Sequence, residues 1–223
     1  MIVAERKPLD EIRGMIEGYG KVLTVGCGTC VSVCLAGGSK EVDTLNCELK
    51  LAMGGREVEL GGHTVKRQCD MEFLAELDEI AENYDAFVSM ACGAGIQFLA
   101  ERFPEKPVFP AVNTVSISVN RDVGWYEENC RACGTCVLGI TGGICPVTAC
   151  AKGLFNGPCG GTNNGSCEIH NDQPCAWYRI YERLEKQGRL AQIIEFSPPR
   201  DWTNQKPRTT VQPGYEERSS TRN

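Results

Sequence analysis

The chain has 223 residues, 42% hydrophobic and 23% charged, which is typical of a globular protein. Its net charge of −6 excludes the strongly basic surface on which nucleic acid binding depends. No apolar run is long enough to predict a membrane span, and the N-terminal residues are charged from Glu5 onward, so we expect neither a membrane segment nor a signal peptide. These features predict a cytoplasmic protein.

Alternating strand-like and helix-like segments occupy the first half of the chain. "KVLTVGC" (21–27) and "DAFVSMAC" (85–92) are typical of buried strands, and shorter strands are predicted at 41–45 and on both sides of a turn at Gly61–Gly62. Helices are predicted at the following segments: 8–17, after Cys27 to about Leu35, 47–53, 71–84 and 95–103. This order predicts a small, doubly wound α/β domain with a mostly parallel sheet, which we assign to residues 1–118.

The chain contains 14 cysteines. Disulfide frameworks belong mostly to small secreted domains, so without an export signal metal ligation is the better explanation for these thiols. In the α/β domain, Cys27, Cys69 and Cys92 each follow a predicted strand. Cys30 and Cys34 lie in the turn and helix after the first strand.

Doubly wound folds bind ligands at the carboxyl ends of their strands, so these five thiols would share one edge of the sheet. The sequence therefore predicts either a further iron–sulfur cluster or a zinc site there. The alternative is that these cysteines are small buried side chains at strand ends. Cys47 lies in a helix-like stretch, and we expect it to be a buried thiol without a metal.

The second half of the chain has a linker-like stretch at 119–129 and then a segment rich in glycine and cysteine. Cys130, Cys133 and Cys136 have C-x2-C-x2-C spacing, which is typical of bacterial ferredoxins. Cys145 precedes a proline as the last cysteine of that pattern does, but it comes nine residues after Cys136 and not four, so the resemblance to ferredoxins is partial. Four single cysteines follow: Cys150, Cys159, Cys167 and Cys175.

Eight thiols in this module are enough for two four-iron clusters. Structural zinc sites generally use two C-x2-C pairs, whereas here one triple precedes widely spaced single cysteines, so the spacing favours clusters over zinc. The spacing does not say which cysteine serves which cluster.

The remaining elements are a C-terminal helix and a polar tail. "CAWYRIYERLEK" (175–186) predicts a helix with Trp177, Ile180, Tyr181 and Leu184 on its apolar face and a break near Gly188. We therefore assign residues 119–196 to an irregular, cysteine-rich iron–sulfur domain. Residues 197–223 form a polar tail that is either disordered or extended along a partner, with Trp202 and Tyr215 as its anchors.

Groups for acid–base catalysis are scarce in this sequence. There are two histidines, His63 and His170, and neither lies in a nucleophile–base pattern. Many potential electron-carrying ligands and few acid–base groups indicate an electron carrier, with no catalytic residue predicted on this chain.

The string "GICPVTACAKGLFNGPCGG", with the cysteines around it and the helix after it, resembles the methylenetetrahydrofolate reductase C-terminal domain family. "TVGCGTCVSVCLAGG" and "MACGAGIQ" resemble the N-terminal half of its stand-alone, MetV-type members. The resemblance covers roughly residues 10–203 and leaves the end of the tail outside it.

This resemblance implies an iron–sulfur electron-transfer subunit of an acetogen-type methylenetetrahydrofolate reductase. Its partner would be a TIM-barrel subunit that binds FMN or FAD and reduces methylenetetrahydrofolate to methyltetrahydrofolate in the methyl branch of the Wood–Ljungdahl pathway. The external electron donor would be a ferredoxin-type or other redox protein.

The resemblance also implies ligands. They are the eight cysteines from Cys130 to Cys175 for two 4Fe–4S clusters, with Cys27, Cys30, Cys34, Cys69 and Cys92 for a third cluster or zinc. The alternative function is a zinc-stapled docking subunit without redox activity.

Overall fold

The computed structural model describes residues 1–195, 198–199 and 209–217. The chain divides into two compact units, Met1–Arg131 and Ala132–Asn223. Within the described ranges, every helix is too short or too polar to cross a membrane.

A four-stranded parallel sheet forms the centre of the first unit. Its strands are β2 (Lys21–Cys27), β3 (Glu59–Val65), β4 (Ala86–Ser89) and β5 (Val108–Pro110), arranged in the order β3-β2-β4-β5. Because the chain crosses from β3 over β2 to β4, the strand order reverses beside β2 and β4. In open α/β sheets, this reversal is where ligands bind, at the carboxyl ends of the strands.

Helices cover both faces of this sheet, as the predicted α/β class requires. On one face, α1 (Leu9–Met15) and α3 (Ser39–Ala52) pack against β2 and β4 through Ile12, Leu45 and Val88. On the other face, the helical segment between β3 and β4 and α6 (Gly93–Arg102) pack through Leu74, Phe87 and Leu99. Burial of apolar side chains on both faces stabilises the sheet and explains why β2 and β4 are almost uniformly apolar.

The strand predicted at 41–45 is wrong, because these residues belong to α3. Val42, Leu45 and Leu49 are all buried and recur at helical spacing, three and four residues apart. The carboxylate of Glu41 also accepts a 2.9 Å hydrogen bond from the backbone N–H of Gly38, which satisfies a free donor at the helix start. The helix predicted at 47–53 therefore begins eight residues earlier, at Ser39.

The predicted turn at Gly61–Gly62 is also wrong, because β3 continues through both glycines and pairs with Leu23 and Thr24 of β2. A Cβ atom on Gly61 would lie 2.0 Å from the hydroxyl oxygen of Tyr84, so only glycine leaves room for that ring. Close packing, and not chain reversal, explains the pair.

The helix predicted at 71–84 forms as three consecutive segments. These are α4 (Met71–Leu74), a 3₁₀ turn (Ala75–Leu77) and α5 (Asp78–Ala81). The 3₁₀ geometry stacks residues three apart, and Leu74 and Leu77 are both fully buried against the sheet. The predicted helical segment is therefore confirmed, although it is shorter and tighter than expected.

A second, antiparallel sheet completes the first unit. It contains β1 (Ile2–Arg6), β6 (Val112–Asp122) and β7 (Trp125–Cys130), in the order β1-β6-β7. The prediction of a linker at 119–129 is thus wrong, because these residues form the β6–β7 hairpin. The hairpin turns at Gly124, whose φ of +78° is readily adopted only by glycine.

The second unit has little regular structure before its C-terminal helix, as predicted. Its helices include α7 (Pro146–Ala149), α8 (Ala176–Lys186) and α9 (Ala191–Ile194). Trp177, Ile180 and Leu184 of α8 are buried with Ile144, which confirms the predicted face. Tyr181 is an exception, because it is exposed.

The chain leaves α8 at Gly188, whose φ of +66° suits a helix end and agrees with the predicted break. In the tail, the predicted anchor Tyr215 is exposed. The other anchor, Trp202, lies outside the described residues.

Candidate functional site: two groups of cysteines

Three cysteines of the first unit lie at the carboxyl edge of the parallel sheet. Cys27 is the last residue of β2, Cys92 directly precedes α6, and Cys69 lies between β3 and α4. Two backbone hydrogen bonds hold the end of β2: the N–H of Cys27 donates to the carbonyl of Gly37 (2.8 Å), and that of Gly28 donates to Val65 (2.9 Å). The fold therefore brings these thiols to one edge of the sheet, as the sequence predicted.

The thiols of Cys27 and Cys92 lie close enough to Cys69 to affect its pKa. Burial raises the pKa of the Cys69 thiol, and the neighbouring thiols of Cys27 and Cys92 raise it further. Like charges in proximity disfavour the ionised form, so a cation near Cys69 would be needed to favour its thiolate.

Cys34 has a different environment from these three thiols. Its sulfur accepts a hydrogen bond from the backbone N–H of Ala4 (3.4 Å) and lies 3.6 Å from the Ala4 carbonyl oxygen. Burial is the main cause that raises its pKa. Cys34 therefore behaves as a packed thiol between β1 and α2 (Cys30–Val33), and Cys30, at the start of that helix, is only partly buried.

Two further side chains differ from the sequence-based expectations for this unit. Cys47, which we expected to be buried, is exposed on α3. Gln68, which sequence reasoning missed, is fully buried. Its side-chain amide donates hydrogen bonds to the carbonyls of Val25 (2.8 Å) and Gly26 (3.1 Å). Because Gln68 directly precedes Cys69, these bonds tie the Cys69 loop to the end of β2. The signal available in the sequence was a polar residue directly before a candidate ligand.

In the second unit, four cysteines line one small cavity: Cys150, Cys159, Cys167 and Cys175. All four belong to the described part of the chain, and there they are free thiols. They come from segments up to 25 residues apart, since Cys150 follows α7 and Cys175 precedes α8. The structure therefore selects, from eight cysteines, one set of four that the spacing did not distinguish.

Backbone hydrogen bonds position these cysteines where there is little regular structure. The N–H of Cys167 donates to the carbonyl of Gln173, and that of Cys175 donates to Gly165, each at 2.8 Å. Gly160, next to Cys159, has a φ of +117°, a conformation that other residues rarely adopt. Glycine-rich sequence thus lets the chain turn sharply around the cavity.

An apolar side chain and an ion pair complete the cavity wall. Trp177 is buried there, and its indole N–H donates to the carbonyl of Leu154 (2.9 Å). The ammonium of Lys152 hydrogen-bonds to the carboxylate of Glu168, and both residues line the cavity. Sequence reasoning missed this pair, although Lys152 lies within "GICPVTACAKGLFNGPCGG" and Glu168 directly follows Cys167.

Of the other four cysteines, Cys130 ends β7 in the first unit, and Cys133 and Cys136 follow in the second. Cys145 directly precedes α7, whose first residue is Pro146.

Residues 109–203 match the family described as "Methylene-tetrahydrofolate reductase C terminal". This segment includes the eight cysteines from Cys130 to Cys175, so the family resemblance is confirmed where the predicted cluster ligands lie. The chain thus carries a domain related to methylenetetrahydrofolate reductase. No curated protein and no solved structure matches the chain.

Neither the family segment nor the rest of the described chain contains three or more His, Cys, Asp or Glu side chains grouped so that they could hold a metal ion. His63 lies 3.5 Å from the carboxylate of Glu76 in the first unit, and His170 is exposed. What the family segment offers is four cysteines that line one cavity.

Proposed function

We propose that this chain is the iron–sulfur electron-transfer subunit of a methylenetetrahydrofolate reductase. One observation carries the proposal: four cysteines of the family segment, separated along the chain, line a single cavity. The scarcity of acid–base residues adds support, because electron transfer needs positioned cofactors and does not need a proton-transferring side chain.

The donor set suits a four-iron cluster. Such clusters bind to four cysteine thiolates, the number that the cavity supplies. Zinc draws its ligands to about 2.3 Å from one ion, whereas a cluster spreads them around several irons. The spacing of the cysteines, one triple followed by single residues, favours a cluster over zinc, whose structural sites generally use two C-x2-C pairs. A bound cluster would accept and release one electron at a time.

The other four cysteines of the family segment are proposed to hold a second cluster. Cys130, Cys133 and Cys136 keep the ferredoxin spacing, and Cys145 precedes Pro146. We assign these four to a second cluster because Cys150, Cys159, Cys167 and Cys175 are already assigned to the cavity.

A further metal centre is proposed for the first unit, either a third cluster or zinc. Cys27, Cys69 and Cys92 are the best candidates, because all three lie at or after the ends of strands at the carboxyl edge of the sheet and Cys69 lies near the other two thiols. Cys34 suits a ligand less well than Cys30, since its sulfur is already engaged with the backbone of Ala4.

In this proposal the flavin, FMN or FAD, and the folate site belong to a TIM-barrel partner subunit. Electrons would pass from a ferredoxin-type or other donor, through the clusters of this chain, to that flavin. The reaction would take place in the cytoplasm.

The proposal is tested by metal and sulfide analysis of protein purified without oxygen. We expect brown protein with about 8 to 12 irons per chain and equal acid-labile sulfide, as two or three four-iron clusters require. Colourless protein with stoichiometric zinc and no iron would contradict the proposal and favour a zinc-stapled docking subunit.

A cysteine variant locates the iron. Cys159→Ser should lower the content by about four irons per chain, because it removes a ligand of one cluster. Cys47→Ser is the matched control, since Cys47 is exposed and lies outside every proposed ligand set. Equal iron in both variants would show that Cys159 is not a ligand.

A further inference from the structure

Lys152 and Glu168 place opposite charges at the four-cysteine cavity. They are 16 residues apart in sequence, yet their side chains form an ion pair and both line the same cavity as Cys159 and Cys167. Among the described residues of the cavity wall, Lys152 is the cation and Glu168 is the anion. Both side chains are exposed, at 38% and 43%, so water and salt weaken the electrostatic effect of the pair.

The two charges also lie beside candidate ligands along the chain. Lys152 is two residues after Cys150, and Glu168 directly follows Cys167. Because all four residues line the same cavity, a group bound to these thiols would lie near both charges.

We propose that Lys152 and Glu168 are a pair of tuning residues that set the reduction potential of the centre held by Cys150, Cys159, Cys167 and Cys175. This inference rests on the proposed function, because it concerns that cluster. A cluster held by these four cysteines would gain one negative charge on taking up one electron. A nearby ammonium stabilises that added charge and raises the potential, whereas a nearby carboxylate opposes it and lowers the potential. Glu168 holds Lys152 at the cavity and partly offsets its effect.

Four variants test this proposal through the sign of the potential shift. Lys152→Gln leaves the Glu168 carboxylate uncompensated and should lower the potential. Glu168→Gln leaves the ammonium uncompensated and should raise it. Lys152→Arg keeps the cation and should stay close to the wild type, and the double variant Lys152→Gln/Glu168→Gln should fall between the two single variants.

The measurement is a redox titration of the purified full-length protein, followed by electron paramagnetic resonance, with dithionite as the electron source. The signal that disappears in Cys159→Ser identifies the cavity centre and separates it from any other. Lys186→Gln is the charge-matched control, because Lys186 is exposed on α8 and does not line the cavity. Iron content is measured for every variant.

Unchanged potentials, or shifts of the same sign in Lys152→Gln and Glu168→Gln, would overturn the tuning role. Loss of iron from Lys152→Gln but not from Lys152→Arg would also overturn it, because the pair would then retain the cluster without tuning it. Wild-type protein without iron would refute the proposed function itself, so the two failures are distinguishable.

Discussion

The hydroxyl of Ser89, at the end of β4, donates a 2.6 Å hydrogen bond to the side-chain carbonyl of Gln68, and both residues are fully buried. The amide of Gln68 in turn donates to two carbonyls at the end of β2. One glutamine side chain therefore links the ends of two parallel strands to the loop that carries Cys69.

Replacement of this glutamine should destabilise the first unit. Gln68→Met would leave the buried hydroxyl of Ser89 without its acceptor, and we expect the free energy of unfolding to fall by about 1–3 kcal/mol. Urea denaturation followed by circular dichroism measures the change. Gln97→Met is the control, because Gln97 is exposed on α6 and should change stability by no more than about 0.5 kcal/mol. Equal effects in the two variants would argue against the linking role.

Gly37 is a second determinant of the strand-end geometry. A Cβ atom there would lie 1.9 Å from the carbonyl oxygen of Met90, and the Gly37 carbonyl accepts the N–H of Cys27. We expect Gly37→Ala to destabilise the protein by about 1–3 kcal/mol, because backbone must move to relieve the overlap. Gly14→Ala is the opposite case. Gly14 lies in α1 with open space around it, so the substitution should raise the free energy of unfolding by about 0.5–1 kcal/mol. Thermal unfolding of the two variants should therefore shift in opposite directions.

The hydrogen bond between Trp177 and Leu154 should be needed for the cavity wall of the second unit. Trp177→Phe keeps an aromatic ring but leaves the Leu154 carbonyl without its donor, and we expect a loss of about 1–3 kcal/mol. Tyr178→Phe is the control, because Tyr178 is exposed on the same helix. Thermal unfolding and iron retention are measured together. A wild-type melting curve for Trp177→Phe would contradict the structural role.

The ion pair of Asp78 with Arg102 should make stability depend on pH. The hydrogen-bonded guanidinium holds the pKa of the Asp78 carboxyl below its usual value, so its contribution is present above the usual aspartate pKa and is lost as the pH falls through the lowered one. Asp78→Asn should therefore be less stable than the wild type at neutral pH. The difference should shrink towards about pH 3, because protonation removes the same charge from the wild type. Urea unfolding at both pH values checks this, and a constant difference would contradict it.

The local pattern of the sequence was sufficient for part of the fold. Apolar runs at 21–27 and 85–92 predicted the central strands, and the spacing of Trp177, Ile180 and Leu184 predicted one helix face. These predictions hold because burial against a sheet or a core imposes a period that neighbouring residues reveal. The glycine pair at 61–62 led to a wrong prediction because its role is not local. Gly61 makes room for the ring of Tyr84, which is more than 20 residues away.

Composition and spacing also led to a prediction about chemistry, because the C-x2-C-x2-C triple followed by single cysteines is typical of cluster ligands. Only the tertiary structure decided which thiols share a space. Cys150, Cys159, Cys167 and Cys175 meet because backbone hydrogen bonds and glycine conformations bring distant segments around one cavity. The tertiary structure also decided that Lys152 and Glu168 form an ion pair at this cavity, because contacts between residues far apart in sequence leave no periodic signal.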